Sequence, residues 1–257
     1  MSKPVPSDQS LEPVSMFAIT AKLYKHVSDS VNEAFGEQGD TLVAQGIQAV
    51  TEEQVRDIRS ASGELGADAL FTHDRLAGEE IIEQTFELYS AARKQAGLEE
   101  INMYGMMAKI FAQISKAVVD QYGEEGQQAI MRGVGTFGEE RGRDIARRAA
   151  VRKEPNDKDH YLSNYDMGRS DLFEYETLFH PTEIEQTFTR CAFAEQWKKD
   201  GMGEYGILYC HMIDPSIARG FNPKFEVVHD QYILKEGTCH FRFQLKEDEE
   251  DQSAQEK

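Results

Sequence analysis

Met107, Ile110, Phe111, Ile114, Val118 and Tyr122 recur at intervals of three and four residues, the period of a helix that buries one face. Gly123 interrupts the run, and a second helix is predicted over about 124–150. The same pattern occurs earlier in the chain. Residues 21–61 align without a gap on residues 108–148 at a constant offset of 87, with 13 of the 41 pairs identical. The identities include Gly36 with Gly123, Gly39 with Gly126, Gly46 with Gly133, and Arg56-Asp57-Ile58 with Arg143-Asp144-Ile145. With a further amphipathic helix at 76–96 between the copies, the first 150 residues are predicted to be almost wholly helical. A glycine inside an exposed helix costs about 1 kcal/mol relative to alanine, so these glycines predict the close approach of a neighbouring backbone.

Beyond Pro155 the pattern changes. A polar stretch at 156–169 leads into predicted strands at 172–179 and 184–189, with Pro181 at the turn between them. Helices are predicted at 192–199, ended by Gly201, and at 204–212, with a short third helix running from Pro215 to Gly220. A hairpin closes the chain, with strands at 225–234 and 238–245. In its last strand Cys239, Phe241, Phe243 and Leu245 alternate with Thr238, His240, Arg242 and Gln244, giving one apolar and one polar face. The expected fold is α+β: a helical N-terminal layer with the duplicated helix pair, packed on a C-terminal antiparallel sheet of about four strands. The expected division is a disordered start at 1–15, a helical extension at 16–105, the main α+β domain at 106–246 and an acidic disordered tail at 247–257.

Charge narrows the partners. With 46 acidic against 28 basic side chains the formal charge is −18, which repels a phosphate backbone and argues against nucleic acid. No apolar run approaches the roughly 20 residues that span a bilayer, and no basic segment followed by an apolar one opens the chain. A cytoplasmic protein acting on a small molecule is expected, away from membranes. The glycine-rich helical face adds an expectation of self-association into a homo-oligomer.

Gly133-Val-Gly135-Thr-Phe-Gly138 spells a dinucleotide-loop pattern, but no strand precedes it and it lies inside a helical run, so helix packing explains it better. The three cysteines, Cys191, Cys210 and Cys239, read as free thiols, and their spacing matches no zinc or redox pair; no cofactor is implied. Cys191 stands where a predicted strand turns into a helix, and unpaired amides at a helix start favour a thiolate. A nucleophile and a small junction residue are both open readings there. Cys210 and Asp214, four apart, would share one face of a continuous helix, yet Pro215 makes Asp214 the expected N-cap of the short helix that follows. Cys239 lies in line with core phenylalanines, where apolar filling outweighs chemistry.

Four segments taken together carry a resemblance: Thr189-Arg-Cys191-Ala-Phe-Ala-Glu195, Leu208-Tyr-Cys210-His-Met-Ile-Asp214, Arg219-Gly-Phe-Asn-Pro223 and Glu236-Gly-Thr-Cys239-His-Phe-Arg-Phe243. With Tyr122-Gly-Glu-Glu125 and Gly138-Glu-Glu-Arg-Gly142 upstream, the chain from about 110 to 245 resembles the L-2-amino-thiazoline-4-carboxylic acid hydrolase family. That resemblance implies a hydrolase opening a small nitrogen-containing ring, with Cys191, Cys210, Asp214 and Cys239 as the candidate catalytic residues. The C-terminal half also resembles the ligand-binding 4-vinyl reductase domain, whose ending is similar to residues 237–241, and this implies a non-catalytic binding or sensor module instead.

Overall fold

The computed structural model of the chain describes residues 12–168 and 170–246. The expectations for 247–257 and for most of 1–15 lie outside them. Two long helical elements dominate, α1 (Met16–Ser60) and α3 (Met103–Val151), with α2 (Glu79–Gln95) between them. Each long element starts on a side-chain cap: Ser15 Oγ accepts the amide of Ala18 at 3.1 Å, and Asn102 Oδ1 accepts that of Gly105 at 2.9 Å.

The sequence duplication is also a spatial one. α1 breaks at Gly36 (φ 59°, ψ −145°) and α3 at the aligned Gly123 (φ 55°, ψ −128°), conformations that a side chain opposes. The two copies then cross about a pseudo-twofold axis, so contacts at the centre of the crossing come in mirrored pairs. A Cβ on Gly46 would lie 2.5 Å from Ile114 Cα, and one on Gly133 would lie 2.7 Å from Val27 Cα, the residue aligned with Ile114. Lys22 pairs with Glu140 at 3.0 Å, and the aligned Lys109 with Glu53 at 2.7 Å. Phe35 and its counterpart Tyr122 stack on each other at 3.8 Å with 4° between the rings, which places them on the axis. The glycines inside the helices therefore mark backbone contact, and the dinucleotide-like run lies within α3 as helix.

After a short helix, α4 (Lys158–Tyr161), the chain forms β1 (Phe173–Phe179), β2 (Glu183–Cys191), α5 (Ala192–Lys199), α6 (Gly203–Phe221), β3 (Phe225–Gln231) and β4 (Cys239–Leu245). The sheet has four antiparallel strands, as expected, and their order is β1-β2-β4-β3. One expectation fails: α6 is a single helix running through Pro215, so Asp214 caps nothing. Proline removes the bond to the carbonyl of His211 and disfavours a helix by about 3 kcal/mol, but α6 lies backbone to backbone on α3, which holds it continuous. A Cβ on Gly142 would meet Ile217 O at 2.1 Å, and one on Gly220 would meet Glu139 O at 2.2 Å. Trp197 fixes α5 to the same helix, its indole N–H donating to Ala108 O at 2.9 Å while its ring covers Gly206. Among the described residues no helix is long and apolar enough to cross a membrane.

Candidate active site

Two local features aim the cysteines. On β2 the register passes from Arg190 opposite Glu174 to Phe188 opposite Tyr175, leaving Thr189 unpaired as a bulge. Phe188 and Cys191 are three apart and would face opposite sides of a regular strand; the bulge turns Cys191 to the helix-facing side. Phe188 sits opposite Cys239 on β4, so both cysteines face the helices. On the unbroken α6, Cys210 and Asp214 are one turn apart and share a face.

All four residues lie within electrostatic range of one another. The charges of Cys191, Cys239 and Asp214 each act on the Cys210 thiol, those of Cys239 and Asp214 act on Cys191, and that of Asp214 acts on Cys239. Cys191, Cys210 and Asp214 are half-buried. Each is partly exposed yet strongly desolvated, and the place where they lie is the candidate recess. Cys239 is buried, and its sulfur accepts the Ile233 amide at 3.2 Å. The site is thus the space between α3, α6, the start of α5 and the inner face of the sheet.

Its electrostatics correct one expectation. Burial pushes the Cys191 thiol up to about 12, overriding the amides of Ala194 and Phe193 at the start of α5, which pull it down. Burial likewise raises Cys239 to about 11 and Cys210 well above its ordinary value. The environment therefore favours three neutral thiols over the thiolate that a helix start would suggest. Asp214 is raised from 3.8 to about 6 by burial, against the opposing pull of Arg141. Its carboxyl has no hydrogen-bond partner among the described residues. All three cysteines are free, and no group of three or more His, Cys, Asp or Glu side chains among the described residues is arranged to hold a metal ion. His211, the neighbour of Cys210, packs edge-on against Tyr232 at 4.9 Å. Arg190 is engaged outside the recess by Glu195 and the Asp171 carbonyl.

Sequence reasoning missed the floor of the recess. Arg141 of α3 donates to both oxygens of Asp166, at 2.8 and 2.6 Å, with each side chain only 3% exposed. Its guanidinium lies over the rings of Phe137 and Tyr165. Tyr161, Tyr165, Tyr209 and Asp214 surround this pair closely enough that Arg141 and Asp214 both act on all three phenols. The available signal was Arg141 itself, a charge between the packing glycines Gly138 and Gly142 on a face that must be buried. The aligned position in the first copy is Gln54, buried but uncharged. The buried arginine is therefore a feature of the second copy alone.

Comparison with known proteins gives one informative result. No curated protein matches the chain. Among solved structures, an Fe(II) unliganded H-NOX protein mutant from K. algicida is 12% identical, covering 90% of this chain and 98% of that one with a TM-score of 0.28. A Tt H-NOX double mutant is 8% identical, covering 88% and 95% with a TM-score of 0.23. Similarity at that level carries no argument. The family model described as L-2-amino-thiazoline-4-carboxylic acid hydrolase, in contrast, matches residues 103–243, a stretch that takes in Arg141, Asp166, all three cysteines and Asp214, and the chain belongs to that family.

Proposed function

We propose that this protein hydrolyses a C–N bond in a small cyclic amide or amidine, with Cys191 as nucleophile and Asp214 as the proton carrier. The observation that supports this reading is the convergence of a thiol at a helix start with an unpartnered carboxyl of pKa about 6, the value of a group that exchanges protons near neutrality. Because the thiol is neutral, attack must be concerted with loss of its proton. Cys191 Sγ bonds to the electrophilic ring carbon while its proton passes to the Asp214 carboxylate, giving a tetrahedral intermediate. Asp214 returns the proton to the ring nitrogen, the C–N bond breaks, and the opened chain stays attached to sulfur. Water, losing a proton to Asp214, then adds to the same carbon; sulfur departs and takes that proton, which restores the thiol and releases an acid from an amide ring or an amide from an amidine ring. The amides of Phe193 and Ala194 suit Cys191 to this role better than Cys210, because they stabilise negative charge on its sulfur.

The test is a panel of cyclic amides and amidines, with ring opening followed by chromatography and the attached intermediate sought by intact-protein mass. Wild type should open at least one ring, and Cys191→Ser and Asp214→Asn should each lose activity by about a hundredfold or more. Full activity in a folded Cys191→Ser protein would transfer the nucleophile to Cys210 or to water. A wild type that binds such rings without opening any would make the recess a ligand-binding site.

A further inference from the structure

An imidazole shut away from water normally has at least one nitrogen bonded, because an unmade hydrogen bond there is costly. His229 breaks that rule. Its Nδ1 and Nε2 are both closed off from solvent and neither has a hydrogen-bond partner; no other described side chain has two such atoms. The Gln231 backbone lies near enough to pull on the ring but closes no hydrogen bond with it. His229 pairs with Phe241 across β3 and β4, so it shares the helix-facing side of the sheet with Phe241 and Cys239. There it belongs to a run of rings that crosses all four strands to α6. Tyr175 lies 4.7 Å from Phe188, Phe188 5.5 Å from Phe241, and Phe241 5.1 Å from His229. His229 lies 3.9 Å from Tyr232, and Tyr232 4.9 Å from His211. The three thiols border this run. Phe188 pairs with Cys239, whose sulfur accepts the amide of Ile233, next to Tyr232; Cys191 follows Phe188 on β2, and Cys210 precedes His211 on α6.

We propose that His229 is a substrate-binding residue, one imidazole nitrogen accepting a hydrogen bond from an N–H of the ring substrate at a place that Tyr232 covers in the free protein. This rests on the hydrolase reading above and narrows its substrates to rings with at least one unsubstituted N–H, a feature that cyclic amides and amidines share. A row of aromatic faces suits a flat ring, and one well-placed polar atom among them fixes how that ring lies. The neutral thiols beside the row are weak acceptors, whereas a neutral imidazole nitrogen is a good one. Burial pulls His229 down to about 4, so the ring keeps that lone pair throughout the neutral range. Tyr232 follows β3 on the connection to β4 and lies over the imidazole with 31° between the rings, so a ligand reaches the nitrogen by displacing it. The unmade hydrogen bonds are then a cost of the free protein that binding removes. No bond breaks at His229, so the proton transfers through Asp214 are unaltered: the imidazole holds the ring while sulfur adds and nitrogen departs.

The experiment titrates the full chain calorimetrically with L-2-amino-thiazoline-4-carboxylic acid, a cyclic amide and the N-methyl form of that amide, and melts the ligand-free protein alongside. His229→Phe keeps a packed ring and removes both nitrogens. It should weaken binding of the two N–H rings about tenfold, the worth of one hydrogen bond, and leave the N-methyl amide within about threefold of wild type. It should also raise the thermal midpoint of the free protein, since no buried nitrogen then goes unbonded. A midpoint below wild type, or an equal loss on every ring, would mark a packing role, and unchanged affinity would remove His229 from the site; each overturns the proposal. If His229→Phe does not fold, His229→Leu takes its place in both measurements. Tyr232→Ala should tighten binding of the N–H rings, and weaker binding would overturn its part as a cover. Turnover is read separately. A wild type that opens no ring yet prefers N–H through His229 would keep this site although the hydrolase reading had failed. Rings opened with the same kcat and KM in His229→Phe would keep the hydrolase reading and overturn this site, as would a wild type that binds none of the compounds.

Discussion

Asp214 carries an electrostatic cost in the folded protein. Its folded pKa of about 6 lies above the ordinary 3.8, so the folded protein holds a proton there that the unfolded chain has lost. The sign is destabilising: the cost is absent below pH 3.8, grows as pH rises towards 6 and is complete above it. The difference of about two pKa values corresponds to roughly 3 kcal/mol at pH 7. Asp214→Asn should therefore raise stability by up to that amount at pH 8 and by almost nothing at pH 3.5, read from denaturant midpoints. A gain that did not change with pH would mean that packing, and not charge, sets the cost. Arg141 shows the opposite dependence on its neighbour. Asp166→Asn would leave a buried guanidinium without its counter-charge, and breaking such a pair typically costs about 3–5 kcal/mol. A loss below 1 kcal/mol would show that water reaches Arg141.

Elements differ in how far they could be read from the sequence. The duplication located the helix breaks, because an aligned glycine pair can only be explained by a conformation or a close approach shared by both copies. Gly36→Ala has open space around it, so its expected loss of about 1–3 kcal/mol is purely conformational. Gly142→Ala drives a methyl into the backbone of α6 and should cost more, about 4 kcal/mol or beyond, or abolish folding. Equal midpoints for the two variants would contradict the close approach of α3 and α6. The reading of Pro215 failed for a physical reason: local propensity favoured a helix start there, and packing on α3 overrode it. Pro215→Ala should accordingly stabilise the protein by about 1–3 kcal/mol in thermal or chemical denaturation, since it adds the missing donor to His211. The Thr189 bulge, which turns Cys191 inward, had no signature in the chain. The four candidate residues were identified one by one, whereas Arg141, Asp166 and the three tyrosines depend on contacts between distant segments that periodicity does not report.

At the scale of the whole molecule, three effects point the same way with pH. The recess favours a protonated Asp214, and a charge of −18 makes the compact state repel itself more as carboxyl groups ionise. On the outer face of the sheet His240 bonds Asp230 at 2.6 Å and Glu185 at 3.0 Å, while His180 bonds the other oxygen of Glu185 at 2.7 Å. The hydrogen bonds to Glu185 and Asp230 hold the His240 pKa above 6.5. The stability it contributes is complete below 6.5 and is lost as pH rises through the higher folded value. His229, which burial holds down to about 4, opposes them and costs stability as pH falls below 6.5. The thermal midpoint should therefore fall more steeply from pH 5.5 to pH 8 in wild type than in His240→Gln; equal slopes would remove His240 from the balance.

The pseudo-twofold crossing of α1 and α3 has a consequence of another kind. Two identical chains meeting through such a surface would part on dilution, since association depends on protein concentration. Here one peptide carries both halves, so each copy sees the other at an effective concentration set by the intervening segment, in the millimolar range for a short tether. The pairing is thereby uncoupled from expression level. Freed from matching an identical partner, one half can carry glutamine at position 54 while the other carries arginine at 141, an asymmetry that a symmetric dimer of one gene product cannot acquire.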